Sequence, residues 1–139
     1  MANRTVIQTP TIITSVDIII LGRVNMQDQT DAPLPGAVFH ILIALADRDR
    51  HGYSIMQDVA MRTGGKVKLS PGTLYSAIRR MLEQGLIEEL SESPDPSSTD
   101  ERRRYYRITR LGKRAAASEV ARLSALVKQA RAAGLAPSA

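Results

Sequence analysis

Ser70-Pro71 opens a helix and Gly85 closes it, and no other pair of signals in this 139-residue chain fixes so much of the fold. A serine hydroxyl accepts from the orphan amides of a first helical turn, so Ser70 predicts an N-cap. Pro71 suits the first helical position, where a missing N–H costs nothing. Leu74, Ile78, Met81 and Leu82 then fall on one face at helical spacing. Thr73, Ser76, Arg79, Arg80 and Glu83 lie away from that stripe. Gly85 supplies the left-handed residue that ends many helices.

Leu86 to Leu90 predicts a short strand, Ser91 to Thr99 a loop rich in Ser and Pro, and Arg103 to Ile108 a second strand. Thr109 is placed to cap a further helix. A helix followed by two strands and a polar loop predicts a winged helix-turn-helix, mostly α with a small β-hairpin. Upstream, Leu34, Val38, Ile41, Leu42 and Leu45 mark one face of a first helix. Asp47 to Arg50 reads as a polar turn. His51-Gly52-Tyr53 leads into a second helix that buries Ile55, Met56, Val59 and Ala60 and breaks at Gly64-Gly65. Val67 and Leu69 alternate too briefly to separate a minimal strand from a turn. Tyr105 and Tyr106 point in opposite directions on a strand, so at most one of them faces outward.

Thr109 to Ala133 is rich in Ala, Leu, Lys and Arg and predicts a long helix. Ala116, Val120, Leu123, Val127 and Ala130 follow the four-three spacing of a coiled-coil seam. Two heptads also suit a helix folded onto its own domain. A domain this small gains from burial against a second subunit, which favours a homodimer. Two-fold symmetry would then set two reading helices about 34 Å apart. The expected organisation is an extension over 1–33, a winged helix-turn-helix over 34–108, a dimerisation helix over 109–133 and a frayed tail over 134–139.

The formal charge is +5. Residues 1–33 carry −1, from Arg4 and Arg23 against Asp17, Asp28 and Asp31, so the remainder carries +6. That sign favours a polyanionic partner and says nothing of the fold. There is no cysteine, which removes disulfides, thiol switches and Cys-ligated metal or iron–sulfur sites and is compatible with a reducing cytoplasm. The longest near-apolar run, Ala37 to Ala46, is too short to span a membrane, for which roughly 20 residues are needed.

Residues 6–21 have β character, and Gln27 to Pro33 is a polar linker. An edge strand, a tail, or a natural start at Met26 would each account for this extension. The two histidines, His40 and His51, lack metal-site spacing, and the chain has no P-loop, dinucleotide fingerprint or nucleophile elbow. No enzyme chemistry, cofactor or metal is expected.

The order His51-Gly52-Tyr53, Ser70-Pro71-Gly72-Thr73-Leu74-Tyr75, Gly85-Leu86-Ile87, Arg103-Arg104-Tyr105-Tyr106, Thr109 and Leu111-Gly112 resembles the PadR family of transcriptional regulators. The resemblance spans roughly Leu34 to Ala133. It implies a dimeric winged-helix repressor on double-stranded DNA with inverted half-sites. Such repressors are commonly released by a small-molecule effector, for which a cavity beside the partner's C-terminal helix is a candidate site. It also places Ser70, Thr73, Tyr75, Ser76, Arg79 and Arg80 on the recognition helix and Arg102, Arg103 and Arg104 at the start of the second wing strand. Thr73, Ser76 and Arg79 are candidates for base edges. Lys66, Lys68, Arg80 and Arg102 to Arg104 are candidates for phosphates, as is Ser70 with the first-turn amides. Tyr75 suits either a phosphate contact or a core position with its hydroxyl at the surface. The wing loop departs from the pattern, because Glu92, Asp95, Asp100 and Glu101 make its tip acidic. An alternative use of the same fold is a protein-interaction or dimerisation adaptor that binds no specific DNA.

Overall fold

The computed structural model describes residues 32–91 and 103–136. The chain divides into two units, Met1–Ala32 and Pro33–Ala139, and every described helix and strand lies in the second. Expectations that fall on residues 1–31, on the acidic loop with Arg102, or on 137–139 lie outside the described residues.

Seven elements run in order: α1 (Gly36–Ala46), β1 (Arg50–His51), α2 (Gly52–Arg62), α3 (Pro71–Gln84), β2 (Ile87–Glu89), β3 (Tyr105–Ile108) and α4 (Arg110–Ala132). The core is built from one face of each helix. Ile41, Leu42 and Leu45 of α1, Ile55 and Val59 of α2, and Leu74 and Met81 of α3 are fully buried. Burial of each such side chain stabilises the fold by about 1.5–3 kcal/mol.

The caps act as the sequence requires. The Ser70 hydroxyl accepts from the Thr73 amide at 3.1 Å. Gly85 takes φ 78°, and its neighbour's amide, that of Leu86, bonds back to the Met81 carbonyl at 2.9 Å. Thr109 accepts from the Gly112 amide at 3.0 Å and donates to the Gly85 carbonyl at 2.6 Å. One threonine thus starts α4 and ties it to the turn after α3. Gly112 completes this docking, since a Cβ there would collide with the Leu86 carbonyl oxygen.

The sheet has three antiparallel strands in the order β1-β3-β2, not the two of a hairpin. Arg50 pairs with Tyr106 and His51 with Tyr105, so the expected polar turn ends in a strand at Arg50. Two residues are too few to show alternation. Long-range contacts hold them instead: the Arg50 guanidinium donates to the Ala44 carbonyl at 2.6 Å and pairs with Asp58 at 3.2 Å. The Val67–Leu69 segment forms no strand, and the Val67 amide donates to the Thr63 hydroxyl.

Both tyrosines of β3 are buried, within the expectation that at most one faces outward. Tyr106 belongs to the core. Tyr105 turns to the other sheet face, where the His51 ring covers it edge-on at 5.2 Å. The added strand therefore supplies the cover.

Candidate nucleic-acid interface

The surface of α3 opposite Leu74, Ala77, Ile78 and Met81 carries Thr73, Ser76, Arg79 and Arg80, all exposed. Lys66 and Lys68 are exposed in the loop before it. The Ser70 hydroxyl also donates to the Thr73 hydroxyl at 3.0 Å, which orients the first turn. The start of α1 flanks this surface: Pro35, Ala37 and Val38 share a shallow depression with Thr73, Ser76 and Arg80.

Ion pairing divides the cations into two groups. Arg62 bonds Asp58 at 2.6 Å, and Arg50 shares that carboxylate. Arg107 bonds Asp49 at 2.9 Å, Arg104 bonds Glu89 at 3.0 Å, and Arg122 makes two bonds to Glu119. The Asp58 hydrogen bond raises the Arg62 pKa, and the Asp49 hydrogen bond raises that of Arg107. By contrast, no acidic group among the described residues pairs with Lys66, Lys68, Arg79 or Arg80. These four lie on α3 or in the loop just before it, with their charge exposed to solvent.

Arg103 and Arg104 precede β3 instead of lying within it. With His51, Gly52, Tyr53, Tyr75 and Tyr106 they line an open pocket at the junction of α2, α3 and the wing base. Tyr75 is half exposed and its hydroxyl rests on Gly52, where a Cβ would strike it. Burial, and then the neighbouring Glu89 charge, push the Tyr106 pKa up, so that phenol stays neutral.

Along α4, Ala116, Leu123 and Ala130 are half buried, while Val120 and Val127 are exposed. Phe39, Val120, Leu123, Ser124, Val127 and Arg131 line a shallow groove between α1 and α4. Sequence reasoning missed Glu119. Its carboxylate is buried and accepts from the Leu34 amide at 3.2 Å, tying the lead into α1 to α4. The Arg122 hydrogen bond, then the Leu34 amide, hold its pKa low against the effect of burial. These contacts join residues 85 positions apart, so local pattern carries no sign of them.

A three-helix core, a small sheet with a wing, and an exposed polar third helix define a winged helix-turn-helix protein. The family model described as the transcriptional regulator PadR-like family matches residues 41–118. The chain belongs to that family. It is 36% identical over 89 residues to an uncharacterized protein of Lysinibacillus sphaericus, covering 64% of this chain and 72% of the relative. Among solved structures it is similar to a transcriptional regulator from Clostridium thermocellum, with TM-score 0.59 and 26% identity over 68% of this chain and 86% of that one. A PadR family transcription regulator from Clostridium difficile matches with the same score and identity, over 70% and 96%. Members of this family are transcription regulators, not enzymes. No described helix is long and apolar enough to cross a membrane.

Proposed function

We propose that the protein is a sequence-specific DNA-binding regulator that acts as a homodimeric repressor in the cytoplasm. The observation that carries this reading is the charge of Lys66, Lys68, Arg79 and Arg80 around the exposed face of α3, which no acid among the described residues pairs. In a protein that pairs Arg50, Arg62, Arg104, Arg107 and Arg122 with acids, four such cations at a reading helix call for phosphate or base contacts. Thr73, Ser76 and Arg79 read base edges, the arginine suiting guanine, and Lys66, Lys68 and Arg80 with the wing-base arginines hold phosphates.

The exposed valines of α4 support pairing through Ala116, Val120, Leu123, Val127 and Ala130. An apolar stripe left open on a long helix gains stability when a second copy covers it. Two copies related by a two-fold axis would present their α3 helices to inverted half-sites in successive major grooves. The groove beside Phe39 would then lie at the subunit boundary, where a small-molecule effector could alter the spacing of the two helices and release the DNA.

Fluorescence anisotropy of the protein against its own upstream DNA and a scrambled duplex, over a salt series, tests this reading. Selective, salt-sensitive binding that saturates at two chains per site is the expected result. Equal weak binding to both duplexes contradicts it and leaves the adaptor role.

A further inference from the structure

Thr63 ends α2, and two left-handed glycines follow it, Gly64 at φ 62° and Gly65 at φ 81°. They turn the chain back, and residues 66–69 then lead to the Ser70 cap of α3 in neither helix nor strand. Side chains alternate along that run. Val67 and Leu69 pack against the core, while Lys66, Lys68 and Ser70 are exposed. Packing of the two apolar residues selects which side faces in. The run belongs to no sheet among the described residues, so no ladder fixes where each residue falls along it.

Thr63 supplies that fix. Its carbonyl accepts from the Lys66 amide at 3.1 Å, and its hydroxyl accepts from the Val67 amide at 3.0 Å. The same hydroxyl donates to the Val59 carbonyl at 2.9 Å, one turn back in α2. A threonine hydroxyl has one proton and two lone pairs, so it does both at once. One side chain therefore joins the last turn of α2 to the amide that lies between the two lysines. Val59 is fully buried, so the anchor is the core itself.

We propose that Thr63 is a positioning residue for DNA binding, whose hydroxyl aims Lys66 and Lys68 at backbone phosphates beside the first turn of α3. The assignment rests on the DNA-binding reading and adds to it a residue that touches no DNA. A valine at 63 keeps the shape of the side chain and both lysine charges, and removes only the tie between α2 and the Val67 amide.

The test is operator affinity over a salt series. It compares wild type, Thr63→Val, Thr63→Ser, the double variant Lys66→Ala, Lys68→Ala, and that double variant with Thr63→Val added. Thr63→Val should flatten the log–log slope towards that of the double variant, although it removes no charge. Two lysines on each chain of a dimer, at about 0.9 per contact, set the limit of that change at about 3.6. Thr63→Ser keeps the hydroxyl and should restore the wild-type slope. In the double variant, adding Thr63→Val should change affinity by less than about twofold, because the contacts it positions are already gone. A purely structural threonine would lower the melting temperature and leave the slope alone. A wild-type slope in folded Thr63→Val, no recovery in Thr63→Ser, or an equal loss with and without the lysines overturns the positioning role, while selective wild-type binding upholds the regulator reading. A wild-type protein that binds no duplex overturns both. Circular dichroism melting checks folding. If Thr63→Val does not fold, Thr63→Ala takes its place, since the smaller side chain leaves room for a water at the Val67 amide.

Discussion

The arginines of the sheet and α2 and those of α3 have the same charge and opposite circumstances. Arg50, Arg62 and Arg107 are each held by an aspartate, and Arg50 is largely buried between Asp58 and the Ala44 carbonyl. Arg79 and Arg80 stand in solvent with no acid beside them among the described residues. Arg50 joins β1 to α1 and α2, Arg107 joins β3 to the turn before β1, and Arg62 pairs within α2, so the charge of this group is spent inside the molecule. The second group leaves its charge outside. Composition counts both alike, and only tertiary pairing tells them apart.

The largest separation should come from Asp58→Ala. It strips both Arg50 and Arg62 of their shared carboxylate and leaves Arg50 largely buried and undercompensated. Stability should fall by about 3 kcal/mol, read by urea denaturation. Discrimination between operator and scrambled DNA, measured well below the new midpoint, should be kept.

Gly112→Ala acts on the scaffold without touching charge. The added methyl would meet the Leu86 carbonyl, and the turn that docks α4 would have to yield. A loss of about 2 kcal/mol is expected by the same measurement. A stability equal to wild type would show that α4 is not held at that point.

On the reading helix, Arg79→Ala should cost about 1.5 kcal/mol of discrimination at one base-pair position, with melting unchanged. Competition binding against operators altered one base pair at a time reads this. Losses equal on every sequence would move Arg79 from base to phosphate contact.

The Glu119 carboxylate predicts a pH dependence. Its folded pKa lies below the ordinary carboxylate value, because the bond to Arg122 and then the Leu34 amide favour the charged form. A lowered folded pKa adds stability above the unfolded pKa, and that stability is lost as pH falls through the folded pKa. As pH falls below the ordinary carboxylate range, wild type should lose more stability than Glu119→Gln. Parallel curves for the two proteins would show that the Leu34–Glu119–Arg122 link carries no stability.

Much of the fold is legible in the chain because it is local. As caps, Ser70, Pro71, Gly85 and Thr109 act within four residues of themselves, and α3 and α4 begin and end where they say. What the sequence hides is long-range. Strand β1 exists through partners 55 residues or so away, at Tyr105 and Tyr106. Tyr105 is buried because His51 lies over it, which alternation along β3 does not predict. Glu119 looks like one more helix-surface acid until the Leu34 amide reaches it. The candidate interface divides the same way. Its cations are visible as letters, yet which of them an acid holds depends on where Asp47, Asp49, Asp58 and Glu89 come to rest.

The smallest single effects belong to the phosphate group, so they are best read together and through salt. Operator affinity over a salt series, for wild type and for the combined Lys66→Ala, Lys68→Ala, Arg80→Ala variant, addresses the division of cations most directly. Each lost phosphate contact should flatten the log–log slope by about 0.9, so the loss of three from each chain of the dimer should change it by about 5. An unchanged slope in a variant that melts like wild type would contradict the claim that these cations face DNA.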